Sequence, residues 1–152
     1  MTEKDTIHNV ADVFLTLYPR FKRLVSAQLH QKIEDGITFS QIRTLGQLTS
    51  QPITLSELAE RCNMTRQGAS LQVQYLVEQG WVRRIPDVND RRSALLEVTD
   101  QGRACWLEVR RSLVEYLADA FKQLTPEEIS AFQIVNGALE CVLNQADSRK
   151  ES

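Results

Sequence analysis

Residues 54–99 read TLSELAERCNMTRQGASLQVQYLVEQGWVRRIPDVNDRRSALLEVT. Thr54 and Glu57 stand three apart, the spacing at which a hydroxyl and a carboxylate cap each other's backbone N–H at a helix start. Leu55, Leu58, Ala59 and Cys62 then line one side of a short helix. Asn63-Met64 leaves only a tight turn before Thr65, an N-cap residue that opens a second helix to Gln79. Gly80 supplies the left-handed residue on which such a helix ends. Within it Ala69, Val73, Leu76 and Val77 share one face. Two helices joined so closely form a helix-turn-helix, in which the first crosses the DNA backbone and the second enters the major groove.

The opposite face of the second helix carries Gln67, Ser70, Leu71, Gln74 and Tyr75. An ordinary solvated face holds more Glu and Lys. Amides and hydroxyls read base edges in the major groove, and an apolar side chain reads a thymine methyl. A half-buried helix in a helical core carries the same pattern, so the flanking elements must decide. Residues 81–85, Trp-Val-Arg-Arg-Ile, read as a strand stopped by Pro86, and residues 93–98 read as its partner. Between them lies a polar tip, Asp87-Val-Asn-Asp-Arg-Arg92. A hairpin this short is marginal alone and must lie against the neighbouring helices. Its tip is either a solvated turn or a wing whose arginine enters a narrow minor groove. The helix pair just upstream favours the wing.

Charge distribution agrees. The chain has 152 residues and a net charge of only −2, yet residues 61–92 hold six arginines and no lysine against three acids. That segment is +3 and the remainder −5. A limited basic surface within an acidic chain points to a local anionic contact.

The flanks are helical. Residues 5–34 form a long amphipathic run on Ile7, Val10, Phe14, Leu17, Phe21 and Leu24. Pro19 cannot bond to the carbonyl of Leu15, which predicts a kink or a restart. So long a stripe exceeds what one neighbour covers and suggests packing against a second subunit. Thr38 with Gln41 forms another capping box, opening a helix on Ile42, Leu45 and Leu48. Thr99-Asp100 opens a long helix whose apolar side is read as Trp106, Leu107, Leu113, Val114, Leu117, Ala120, Phe121 and Leu124. Thr125-Pro126-Glu127-Glu128 is a complete helix start. The helix it opens continues to about Asn144 on Ile129, Phe132, Val135, Leu139 and Val142, and the tail after Gln145 reads as frayed.

With these residues in place, the chain resembles the MarR family of bacterial winged-helix regulators across about residues 5–145. The resemblance rests on Thr38-x-x-Gln41 before Leu45, on Leu55-x-x-Leu58-Ala59, and on Leu76-Val77-Glu78-Gln79-Gly80-Trp81-Val82. It rests most on Asp87-x-x-Asp90-Arg91-Arg92 followed by Leu96-x-Val98-Thr99-x-x-Gly102. The fold it implies is mainly α with a small β-hairpin wing: a winged helix-turn-helix lobe at 37–99, dimerisation helices at 1–36 and 100–145, and a tail at 146–152. The implied function is sequence-specific DNA binding as an obligate homodimer on an imperfect palindrome, with repression the commoner mode. The implied ligand is a small aromatic or phenolic acid, bound in a crevice between the dimer helices and the DNA-binding lobe. The implied DNA-binding residues are Thr65, Arg66, Gln67, Ser70, Leu71 and Gln74 on the recognition helix. Arg83 and Arg84 on the hairpin, with Asp90, Arg91 and Arg92 at its tip, complete the set. Asp90 is expected to pair with a wing arginine and fix its direction. One departure stands out. Members often carry Arg or Lys near Leu71 or Tyr75, and this chain has neither, which shifts weight to Gln67, Ser70, Gln74 and shape readout.

Other classes find less support. Cys62, Cys105 and Cys141 are widely spaced and form no CxxC; with no signal peptide this reads as a reduced, cytoplasmic chain. Cys62 and Cys141 read as small core residues. Cys105, beside Trp106, is the candidate for a redox-responsive alternative, which would need a lowered thiolate pKa. Some relatives sense oxidants through a cysteine in the first helix, and none lies there. His8 and His30 read as solvent-facing, and no metal or cofactor is expected. No apolar run approaches the roughly 20 residues needed to span a bilayer. No glycine-rich phosphate loop or G-x-S-x-G points to an enzyme. A winged-helix module that binds only protein remains the other alternative, and Arg91-Arg92 argue against it.

Overall fold

The computed structural model describes residues 2–32, 37–90 and 93–150. The order is α1 (Glu3–Lys32), α2 (Phe39–Gln47), β1 (Ile53–Thr54), α3 (Leu55–Arg61), α4 (Arg66–Glu78), β2 (Val82–Pro86), β3 (Ala94–Val98), α5 (Asp100–Phe121) and α6 (Pro126–Lys150). The chain is mainly α with one small antiparallel sheet, as the sequence suggested. It divides within α5 into two compact units, Met1–Leu113 and Val114–Ser152.

The first unit is built on its helix caps. Thr38 and Gln41 close one capping box and Thr54 and Glu57 another, each with both reciprocal bonds. Such a box satisfies two N–H groups that a helix start otherwise leaves without partners. The Thr54 N–H, followed by its hydroxyl, holds the Glu57 carboxyl below its usual range. Between α3 and α4 the chain turns on Asn63, whose φ of 51° is left-handed. The Asn63 N–H bonds to the Glu60 carbonyl and the Met64 N–H to the Ala59 carbonyl, each at 2.9 Å. That is a Schellman ending with Asn in the place usually taken by Gly. Arg43 adds a guanidinium N–H to the Cys62 carbonyl at 2.8 Å, so the carbonyl end of α3 is well satisfied.

The core of this unit joins Leu29 of α1, Ile42, Leu45 and Leu48 from α2 and its end, Leu58 and Cys62, Val73 and Leu76 of α4, and Leu96 and Val98 of β3. Val109 of α5 completes it, whereas Leu107, read as inward, is 52% exposed. The two are about 200° apart on the helix, so the inward line of α5 runs through Gly102, Cys105, Trp106 and Val109.

The sheet has a strand that the sequence did not reveal. β1 pairs with β3 through Ile53↔Leu96 and Thr54↔Leu95, giving the order β1-β3-β2. β2 runs one residue further than expected, with Pro86 opposite Ala94. An edge strand tolerates a proline because one side of it needs no N–H. Pro19 likewise fails to break α1, which is one helix through Leu15 and Pro19. Both turns of backbone there are exposed, so water can take the carbonyl that the proline leaves without a donor.

α1 is exposed from Glu3 to Leu24, and among its described side chains Val25 and Leu29 are the buried ones. Its apolar stripe, including the stacked pair Phe14 and Tyr18, lies open in the single chain. In the second unit Thr125 and Glu128 cap α6, and Phe132 meets Phe121 at 5.3 Å between ring centroids. α6 runs to Lys150; residues 138–150 contain neither Gly nor Pro to stop it. No helix among the described residues is long and apolar enough to cross a membrane.

Candidate nucleic-acid interface

α4 is held by one face and presents the other. Ala69, Val73 and Leu76 are fully buried. Thr65 caps the start, its hydroxyl accepting the Gly68 N–H at 3.0 Å. At the other end Gly80, at φ 73°, lets its N–H reach the Val77 carbonyl and the Trp81 N–H reach the Leu76 carbonyl. Both ends of the helix are therefore fixed by local geometry, which gives the outward face a defined direction.

That face carries Gln67, Leu71, Gln74 and Glu78, all exposed, at spacings of four, three and four residues. The Gln74 amide donates to the Glu78 carboxylate at 3.0 Å. Arg66 is exposed at the first turn and Ser70 is half-buried beside the ridge. Tyr75 is a correction. It turns sideways, packs against the core, and sets its ring edge-on to Trp81 at 6.3 Å. An aromatic ring finds more apolar surface at that flank than on the ridge.

The hairpin arginines part company. Arg83 lies opposite Glu97 in the sheet register and its guanidinium pairs with that carboxylate. Arg84 projects from the other side of β2, by the alternation of a strand. With Arg66, Asp90, Ser93 and Thr54 it lines an open cleft of about 440 Å³. Of the two expected DNA-binding arginines of β2, Arg83 is thus paired across the sheet and Arg84 lies on the cleft. At the tip, Asp87 accepts the Asn89 N–H at 2.8 Å, and the Ser93 N–H bonds to the Asp90 carbonyl at 2.9 Å. Arg91 and Arg92 lie outside the described residues. The ridge of α4 and the cleft together offer amide donors and acceptors, one aliphatic group and flanking guanidinium groups, a set suited to base edges and phosphates.

Comparison with known proteins agrees. The MarR family model matches residues 35–93. The transcriptional regulator TcaR of Staphylococcus aureus (strain Newman) is 26% identical over 117 residues, covering 73% of this chain and 78% of that protein. The transcriptional repressor MdtR of Bacillus subtilis (strain 168) is 26% identical over 121 residues, covering 79% and 78%. Among solved structures, a mutant of MarR from E. coli superposes with a TM-score of 0.70 at 25% identity, over 94% of this chain and 97% of that one.

The winged helix-turn-helix lobe, residues 35–93, thus matches the MarR family of regulators. A MarR-family protein of Bacillus stearothermophilus shares the fold at a TM-score of 0.79 and 18% identity, over 95% of this chain and 99% of that one.

Within this winged-helix lobe the structure adds a residue that sequence reading passed over. Gln72 points inward, between the outer ridge and the core. Its amide donates to the Ser40 hydroxyl at 2.7 Å and accepts from the hydroxyl of Thr44. Thr44 is fully buried and also lies 3.9 Å from the Cys62 sulfur. This polar link ties α4 to α2. The signal for it was a glutamine one position past the ridge, with hydroxyls four apart on α2. Thr99 forms a second link: its hydroxyl donates to the Gly80 carbonyl and accepts the Gly102 N–H. The Thr-x-x-Gly pattern thus fastens α5 to the end of α4.

The cysteines divide. Cys62 is buried as expected, but Cys141 is exposed. The Gln145 amide one turn on lies 3.6 Å from its sulfur. Cys105 is partly buried against the core of the first unit. His8 is exposed on α1, its Nδ1 2.8 Å from the Lys4 carbonyl. Among the described residues no group of three His, Cys, Asp or Glu is placed to hold a metal ion.

Proposed function

We propose that this MarR-family regulator binds an imperfect palindrome in duplex DNA as a homodimer and represses transcription until a small aromatic or phenolic acid releases it. The observation that carries the DNA reading is the ridge of α4, a polar and almost uncharged line exposed along a helix whose other face is fixed in the core. Gln67, Ser70, Leu71 and Gln74 meet base edges in the major groove, and Thr65 and Arg66 meet phosphates at the start of the helix. Arg84 reaches the backbone from the cleft, Arg83 on the other side of the strand is partly neutralised by Glu97, and Asp90, Arg91 and Arg92 serve the minor groove.

The dimer reading is supported by the open stripe on α1. Ile7 and Val10 are 62% and 63% exposed, and Phe14, Leu17 and Phe21 are about half exposed. α6 likewise leaves Phe132, Ile134, Val135 and Val142 open. Apolar surface on this scale marks a contact with another protein. A two-fold dimer sets its two recognition helices about 34 Å apart, one helical turn of DNA. A ligand that favours a different spacing lowers operator affinity, because only differential binding shifts the equilibrium. Repression accords with the relative MdtR, a transcriptional repressor, and the ligand class with the family resemblance.

Selection of bound duplexes from a random pool, followed by gel shifts and light scattering, tests this. The expected result is a two-fold symmetric site bound by two chains, with affinity falling steeply with salt and release by a hydroxybenzoic acid. A monomer in solution, or a pool that enriches nothing, refutes it.

A further inference from the structure

Among the described residues of the winged-helix lobe, Leu71 and Val88 are the large apolar side chains left widely open, Leu71 at 64% and Val88 at 94%. A lone surface leucine is ordinary. The position of this one gives it meaning, because it stands mid-ridge on α4 with Gln67 one turn before and Gln74 one turn after. The ridge holds no cation, so it lacks the guanidinium or ammonium that reads guanine O6 and N7. Glutamine matches the N6 and N7 edge of adenine, and an aliphatic group matches the 5-methyl of thymine. The Gln74 amide, anchored to Glu78, keeps a set orientation beside Leu71. A flat apolar protein partner fits poorly, since every neighbour of Leu71 along the ridge is polar.

We infer that Leu71 reads the 5-methyl group of a thymine in each half-site, and that the base pairs under the middle of α4 are A·T. The inference deepens the reading of α4 as the groove-facing helix and rests on it. Gln67 and Gln74 then supply the adenine contacts on either side, and Arg66 contributes phosphate affinity without choosing a base.

The test replaces the thymines of a selected operator by deoxyuridine one at a time, which removes the methyl and keeps the pairing. One thymine per half-site should lose about fourfold in wild-type affinity, the worth of one methyl group taken out of water. Leu71→Ala should bind the thymine operator more weakly and show no preference for thymine over uracil at that position. Its melting temperature should match wild type, because the side chain is mostly in solvent. Wild-type binding indifferent to uracil at every thymine overturns the inference, as does a Leu71→Ala protein that keeps the wild-type preference. Either failure leaves operator binding intact and so spares the reading of α4. A pool that enriches no sequence overturns both.

Discussion

Replacing Gly102 by alanine places a methyl group on the main chain of Trp81. An ideal Cβ there stands 2.1 Å from the Trp81 carbonyl oxygen, 2.8 Å from its carbonyl carbon and 2.9 Å from its Cα. Close carbon–oxygen contacts settle at about 3.3 Å, so α5 and Trp81 must separate by about 1 Å. The obstacle is backbone, which no rotamer change removes. The separation strains the Thr99 N–H bond to the Trp81 carbonyl at 3.0 Å and the Thr99 hydroxyl bond to the Gly80 carbonyl at 2.6 Å. Overpacking costs about 1–3 kcal/mol, and a lost hydrogen bond adds about 1 kcal/mol. Alanine's better helix propensity offsets up to about 1 kcal/mol. The net loss is about 2–3 kcal/mol.

At about 2–4 °C per kcal/mol for a chain of this size, the melting temperature should fall by about 8 °C. Circular dichroism read at one fixed protein concentration measures it, since dimer stability depends on concentration. The Gly46→Ala protein supplies the contrast. Its Cβ would meet the Trp106 indole nitrogen at 2.8 Å, but that obstacle is a side chain able to turn, so the drop should be smaller. Operator affinity measured well below the transition should also weaken in Gly102→Ala, because Trp81 closes the C-terminal end of α4. A Gly102→Ala melting temperature within about 2 °C of wild type would refute the close-approach argument.

Four further outcomes are expected. Arg66→Ala and Arg84→Ala should each lower the salt slope of operator binding by about one, and Arg83→Ala by less, because Glu97 already holds its guanidinium; equal slopes for all three in gel-shift titrations would contradict this. Arg91→Ala and Arg92→Ala should each weaken operator binding by about tenfold or more without lowering the melting temperature. Gln72→Leu should cost about 1–3 kcal/mol by stranding the Thr44 hydroxyl; urea unfolding should show part of the loss restored when Thr44→Val is added. For Glu57, whose carboxyl is held below its usual range by Thr54, the contribution is present above the unfolded pKa and vanishes as pH falls through the lower folded value. The gap in melting temperature between wild type and Glu57→Ala should therefore be steady above about pH 5 and close below about pH 4.

What was legible in the chain and what was not follows from the range of the interaction. The caps at Thr38, Thr54, Thr65 and Thr125, and the left-handed Gly80, depend on residues within one turn, so composition and spacing reveal them. The ridge of α4 needs only the period of one helix. β1 was hidden because two residues carry no periodicity and its partner, Leu96, lies 43 positions on. The inward Gln72 was hidden for the same reason, since nothing near it in sequence offers the hydroxyls of Ser40 and Thr44. Arg83 and Arg84 look alike in sequence; only the register that sets Arg83 across from Glu97 separates them. Long-range partners thus shape the polar side chains near the interface, turning Gln72 inward and pairing Arg83 with Glu97. Gln67 and Gln74 keep their amides on the outward ridge with Ser70 beside it, and between the two amides stands Leu71, an aliphatic group that the core did not claim. On this reading base selection by the helix falls to two amides, the Ser70 hydroxyl and one leucine, while charge enters from its first turn and from the hairpin.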